Sequence, residues 1–264
     1  MHMRAALTIA GSDSGGGAGL QADLKTFAAL GVYGTSAVTA ITAQNTIGVA
    51  CAAAVSADLV TAQIEAVAGD IELHATKTGM LATAAIVLAV AAAVEELDLL
   101  NLVVDPVMVA KSGDRLLDDE GVQALRVELL PRALVVTPNI PEAEVLSGMR
   151  INSPETAREA ARRISDLGPS AVVIKGGHGE GDEIVDLLFD GERFHEYRTP
   201  RIATRNTHGT GCTFASAIAA YLALGYPLTE ATLRAQAYVA GAIRHGLSIG
   251  HGHGPLDHFW VLRC

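Results

Sequence analysis

Short apolar runs alternate along the chain with longer alanine-rich stretches. The short runs predict strands at Ala5–Ala10, Ser36–Thr42, Leu102–Asp105, Leu134–Thr137 and Ala171–Lys175. The longer stretches predict helices at Gly19–Leu30, Ala57–Ala68, Ala82–Glu96, Asp119–Leu130, Pro154–Leu167, Thr210–Leu224 and Thr229–Arg244. Strands end in loops carrying Gly, Asp or Pro and pass into helices. That order predicts an α/β fold: one domain over residues 1–264, with a largely parallel central sheet and helices on both faces. Ile184–Phe189 and Arg193–Tyr197, split by Asp190-Gly191-Glu192, predict a β-hairpin.

Open α/β sheets bind ligands beyond the carboxyl ends of their strands. Gly11, Gln44, Asp105, Asn139 and Lys175 fall at or just after predicted strand ends, so one sheet edge is expected to collect them.

Asn206-Thr207-His208-Gly209-Thr210-Gly211-Cys212-Thr213 runs from a glycine-rich turn into an apolar helix. Free backbone N–H groups and the positive end of the helix dipole then meet at one point, which suits an anion. Cys212 lies in the first turn, where the same field is expected to favour its thiolate. A helix N-terminus beside a buried cysteine is the plainer alternative.

Other polar residues also allow two readings. Asp23 alone is a solvated first-turn acid, and Gln44 a loop side chain facing water. Yet one carboxamide can both donate to and accept from an aminopyrimidine edge. Met80 is either core packing or an apolar cover for a ring. Asn139 and Glu142 fit either a Pro-Asn turn into a helix or an oxygen-rich site for phosphate and Mg²⁺. Lys175 either snorkels from its strand or reaches a phosphate as a point charge.

Composition narrows the partners. The formal charge is −10, which disfavours nucleic acid and means that any phosphate must be held by local donors, a lysine and a divalent cation. The longest apolar runs are too short for a membrane span. Three distant cysteines, Cys51, Cys212 and Cys264, suggest no disulfide framework and fit a reducing cytoplasm. The run Gly250-His251-Gly252-His253-Gly254, with His258, has histidines but no carboxylate or cysteine cluster to complete a metal site. A loop over the nucleotide, or surface packing, fits it better.

Several motifs together resemble one family. They are Gly11-Ser12-Asp13-Ser14-Gly15-Gly16-Gly17-Ala18-Gly19 with Gln21-Ala22-Asp23-Leu24-Lys25, then Ala43-Gln44-Asn45-Thr46, Lys77-Thr78-Gly79-Met80-Leu81 and Asp105-Pro106-Val107-Met108. Thr137-Pro138-Asn139 with Glu142, Lys175-Gly176-Gly177-His178 and the Cys212 turn follow in the same order. The chain resembles the hydroxymethylpyrimidine/phosphomethylpyrimidine kinases of thiamine biosynthesis, in the ribokinase-like superfamily. That resemblance implies ATP-dependent phosphorylation of 4-amino-5-hydroxymethyl-2-methylpyrimidine and then of its monophosphate. It implies Gln44, Gly11, Asp23, Met80 and Val107 at the pyrimidine, and Lys175, Asn139, Thr207 and His208 at ATP. Asp105 and Glu142 would hold Mg²⁺, through water. Gly209, Thr210 and Gly211 would stabilise the transferred phosphoryl group, with Cys212 as candidate base. Lys111 would lie near the entrance. A homodimer is also implied. Pyridoxal kinase is the nearest alternative, which Ala110 in the Val107–Lys111 loop disfavours; a non-catalytic binding protein on the same fold is another.

Overall fold

The protein is described from a computed structural model, which covers residues 3–109, 113, 115–178 and 181–263. The strands are β1 (Ala5–Asp13), β2 (Tyr33–Gln44), β3 (Val49–Ala54), β4 (Ala75–Thr78), β5 (Leu102–Val104), β6 (Val135–Val136), β7 (Ala171–Ile174), β8 (Glu183–Phe189) and β9 (Phe194–Pro200). They form one sheet in the order β3-β2-β1-β4-β5-β6-β7-β8-β9. Neighbours from β2 to β7 are parallel, while β3, β8 and β9 add antiparallel edges.

The helices are α1 (Gly19–Ala29), α2 (Ala57–Ala68), α3 (Ala84–Glu96), α4 (Asp119–Ala124), α5 (Ile140–Ser147), α6 (Pro154–Ser165), α7 (Thr210–Ala223) and α8 (Leu228–Arg244). Successive strand residues point to opposite faces. Leu102 and Val104 of β5 face the core under α2, α3, α5 and α6, whereas Val103 faces the core under α1, α7 and α8. Central strands are therefore buried on both sides, which is why β1, β5, β6 and β7 read as apolar runs. Helix α7 is buried along nearly all of Thr213–Ala220, and its alanines let it lie close to the sheet.

The predicted elements are present with shifted ends, and three others come from segments that had no assignment. β3 and β4 complete the sheet, and α5 follows Asn139. The predicted helix Asp119–Leu130 ends as α4 and continues through a π-helical turn, Leu125–Leu129. β1 runs on to Asp13, so Gly11 lies within a strand, beside an irregularity between Ala10 and Ser12.

The chain leaves β1 through α1 on one face and leaves β4 through α3 on the other. The crevice between the carboxyl ends of β1 and β4 is thus a topological switch point, the usual ligand position in such sheets.

Candidate active site

Gly11 and Met80 meet at that switch point. A Cβ added at Gly11 would lie 3.2 Å from the Met80 sulfur, so a larger residue there would have to push the Met80 side chain aside. The Met80 carbonyl accepts from Thr39 Oγ1 at 2.6 Å, which fixes the loop. Gln44 closes β2 and is half-buried. Its backbone N–H and C=O both bond Ser14 Oγ at 2.8 Å, and its side-chain oxygen accepts from Thr42 Oγ1 at 3.2 Å. Val107, half-buried, follows Asp105 in a tight turn. The Gly250–Gly254 segment packs on the loop after Gln44, with the Thr46 carbonyl accepting from His253 N–H at 2.9 Å.

The other half is built on α7. Its N-cap, Gly209, has φ +83° and offers no side-chain cap to the first-turn N–H groups, of which that of Thr210 donates to the Thr207 carbonyl at 3.4 Å. A Cβ at Gly209 would sit 1.9 Å from the Gly17 carbonyl oxygen, so the two glycine loops interlock through bare backbone. Beneath Gly211 lies an ion pair, Lys175 Nζ to Asp105 Oδ1 at 2.8 Å, almost out of water. Burial opposes charge on Lys175, but Asp105 and Glu142 overcome it and hold the ammonium protonated.

Asn139 and Glu142 form a capping box at the start of α5. Asn139 Oδ1 accepts from Glu142 N–H at 2.9 Å, and Glu142 Oε2 accepts from Asn139 N–H at 2.8 Å. Burial pushes the Glu142 carboxyl up to about 7; nearby Asp105 pushes the same way, and Lys175 opposes them. Two buried carboxylates beside one lysine suit a hard cation that supplies missing positive charge. Among the described residues no group of three or more His, Cys, Asp or Glu is placed to hold a metal, so other ligands must come from nucleotide and water.

Two readings need correction, and His208 has a partner the sequence did not show. Asp23 is not a solvated first-turn acid. It is fully buried, accepting from Thr8 Oγ1 at 2.6 Å, from Lys77 Nζ at 2.9 Å and from Ser216 Oγ. His208 has its ring on the N-terminal loop, with Nε2 2.9 Å from Asp13 Oδ2. Asp13 also accepts N–H bonds from Gly15, Gly17 and Ala18. Burial raises the Asp13 pKa, yet these bonds more than offset it and keep the carboxylate low. Lastly, the Cys212 thiolate is not favoured in the free protein: burial pushes the thiol up to about 11, against the pull of Lys77.

Thr207 and Thr210 share the turn, the Thr210 hydroxyl donating to the Thr207 carbonyl at 2.8 Å. Ala110 and Lys111 lie outside the described residues, as does Cys264. Lys77 has no role legible in the sequence beyond its place in the Lys77-Thr78-Gly79-Met80-Leu81 motif; the structure puts it on β4, fully buried.

An open parallel sheet with a bare helix N-terminus, a buried lysine and paired carboxylates at its carboxyl edge defines a kinase of the ribokinase-like class. The sequence model of the phosphomethylpyrimidine kinase family matches residues 13–257. The chain belongs to that family. It is 49% identical to the hydroxymethylpyrimidine/phosphomethylpyrimidine kinase of Bacillus subtilis, over 98% of this chain and 96% of that one. It is 54% identical to a bifunctional thiamine biosynthesis protein of Geobacter sulfurreducens over 96% of its own length, and spans about half (51%) of that protein. Among solved structures, an ADP complex of Bacillus subtilis pyridoxal kinase superposes with a TM-score of 0.92 at 42% identity, covering 99% of both chains.

Proposed function

We propose that the protein transfers the γ-phosphoryl group of ATP to the hydroxymethyl oxygen of 4-amino-5-hydroxymethyl-2-methylpyrimidine, and then a second one to the monophosphate formed. The observation that carries this reading is the stacking of Gly211 over the Lys175–Asp105 pair, a few residues along from an uncapped helix start. Phosphoryl transfer needs positioning and charge stabilisation more than covalent chemistry.

The ring would lie in the crevice between Gly11 and Met80, with Val107 as wall and the Gln44 carboxamide on the ring-nitrogen and amino edge. The N–H groups of Gly209, Thr210 and Gly211 would meet the charge on the transferred group. Lys175 and Asn139 would hold the ATP phosphates, with Thr207 at the rim. His208 would fix that rim through Asp13. Mg²⁺, when bound near Asp105 and Glu142, neutralises phosphate charge. Cys212 lies in the first turn of α7 and is the candidate to take the alcohol proton, which requires its thiol to be ionised against the effect of burial.

Pyridoxal kinase is the second reading, supported by the likeness to the pyridoxal kinase of Bacillus subtilis. An assay with ATP and Mg²⁺ against either acceptor, resolving mono- from diphosphate, separates the two. A diphosphate product from the pyrimidine supports the first reading; turnover of pyridoxal alone overturns it.

We also infer a cytoplasmic homodimer without affinity for nucleic acid. Strand β3 supports the dimer: it is a sheet edge with exposed Ala52, Ala53 and Ala54, beside Ile41, which is 60% exposed. Sedimentation at micromolar concentration tests it.

A further inference from the structure

Lys77 lies at the centre of the molecule with no exposed surface, paired to an equally buried Asp23 at 2.9 Å. Such a pair is a costly way to hold a fold, because both ions must be desolvated. The surroundings show where its charge is directed. Lys77 sits on β4 opposite Thr8 of β1, and its side chain points to the face covered by α1 and α7. The ammonium reaches toward the carboxyl edge, since a Cβ at Gly79 would lie 2.6 Å from Nζ. Asp23 is held from the other side by Ser216 of α7. Cys212 is one turn before Ser216, on the same stripe of that helix. The Gly19 N–H at the start of α1 also favours charge on the Cys212 sulfur.

Resting on the reading of Cys212 as the base, we propose that Lys77 is a positioning residue for the reaction: its ammonium, fixed on Asp23 below α7, steadies negative charge on the Cys212 sulfur against the burial that opposes it. Among the described residues, the charged groups acting on that sulfur are Lys77 from β4, Asp23 from α1, Asp105 after β5 and Lys175 after β7. Lys77 is the strongest of those favouring the thiolate, and Asp23 and Asp105 oppose it. Lys77 itself is held protonated, burial notwithstanding, mainly by Asp23. A permanent cation kept out of water acts at short range without screening by salt. When the alcohol proton moves to sulfur, the Lys77–Asp23 pair stays as it was, and no further proton donor is needed.

The test follows alkylation of Cys212 by iodoacetamide as a function of pH, read by peptide mass so that Cys51 and Cys264 do not interfere. The thiolate is the reacting species, so the midpoint reports its ionisation and not kinase turnover. Lys77→Met should move the midpoint up by about one pH unit or more, and Asp23→Asn should move it down. Opposite shifts are the expected result. A looser site would admit water and lower the midpoint in both variants, and shifts in the same direction would overturn the proposal. If Lys77→Met does not fold, the paired variant Asp23→Asn/Lys77→Met removes both charges together. Its midpoint should still rise, by less; an unchanged or lower one would equally overturn the proposal. The kcat for the hydroxymethyl acceptor, measured in the same variants, tests the role of Cys212 separately.

Discussion

Gly211 leaves just enough room for Lys175: a Cβ placed there would lie 3.3 Å from the ammonium nitrogen and 3.8 Å from Asp105 Oδ2. The glycine is thus required by the ion pair behind it as well as by the ligand in front. Gly211→Ala should displace Lys175 by a few tenths of an ångström, and Gly211→Val by more. We expect losses in kcat of about tenfold and about 100-fold, similar for both acceptors, with folding retained. Steady-state kinetics with each acceptor and a thermal melt check this. Loss confined to one acceptor would argue against a shared phosphoryl site.

Gln44 has its backbone tied to Ser14 at both ends, so its carboxamide is presented from a fixed base. Gln44→Ala should leave ring polar groups unpaired, at about 1–3 kcal/mol. KM for the pyrimidine should rise while KM for ATP stays close to its original value. An unchanged pyrimidine KM would place the ring elsewhere.

Cys212 should matter unequally to the two transfers. An alcohol must lose its proton, whereas a phosphate monoester with a second pKa of about 6 is already largely ionised. Cys212→Ala should slow the first step by about 10²–10⁴-fold and the second far less. Equal slowing would make the sulfur part of the helix-start packing and not a base.

His258 provides a pH signature outside the chemistry. It is 3% exposed, with its ring 3.0 Å from Thr213 Oγ1, and burial pushes it down to about 4. Its folded pKa lies below its unfolded value of 6.5, so the stability it contributes is present above pH 6.5 and is lost as pH falls toward 4. Over that window the wild type should lose on the order of 3 kcal/mol more than His258→Gln. Denaturant unfolding at the two ends of the window measures the difference.

Chelation should abolish activity and leave the melting temperature unchanged, because no protein cage for a metal is present among the described residues. A large drop in melting temperature would instead give the metal a structural role.

Periodicity revealed β1, β5, β6 and β7 because their burial on both faces leaves an apolar run. β3 escaped notice because Val49–Ala54 is mostly alanine, a helix former placed in a strand by its pairing with β2. β4 escaped because its residues, Ala75-Thr76-Lys77-Thr78, look solvated although all are buried. The strand-end rule brought Gly11, Asp105, Asn139 and Lys175 to one edge. It could not place Asp23: a first-turn acid and a buried counter-ion have the same local sequence, and only Lys77, 54 positions away, distinguishes them. The Cys212 thiolate was misjudged for a related reason, since a helix dipole is legible locally and desolvation is not.

The bond from Asp13 to His208 joins positions 195 apart. Closing so long a span carries an entropic cost before any contact repays it, and parallel sheets of this kind acquire such contacts slowly. Gly17 and Gly209 fit only when the two loops arrive together. The substrate crevice and the phosphate turn are therefore held in place by each other. Among the described residues all nine strands end by Pro200, whereas the phosphate turn comes after them, so the sheet and the turn that completes the site belong to successive parts of the chain.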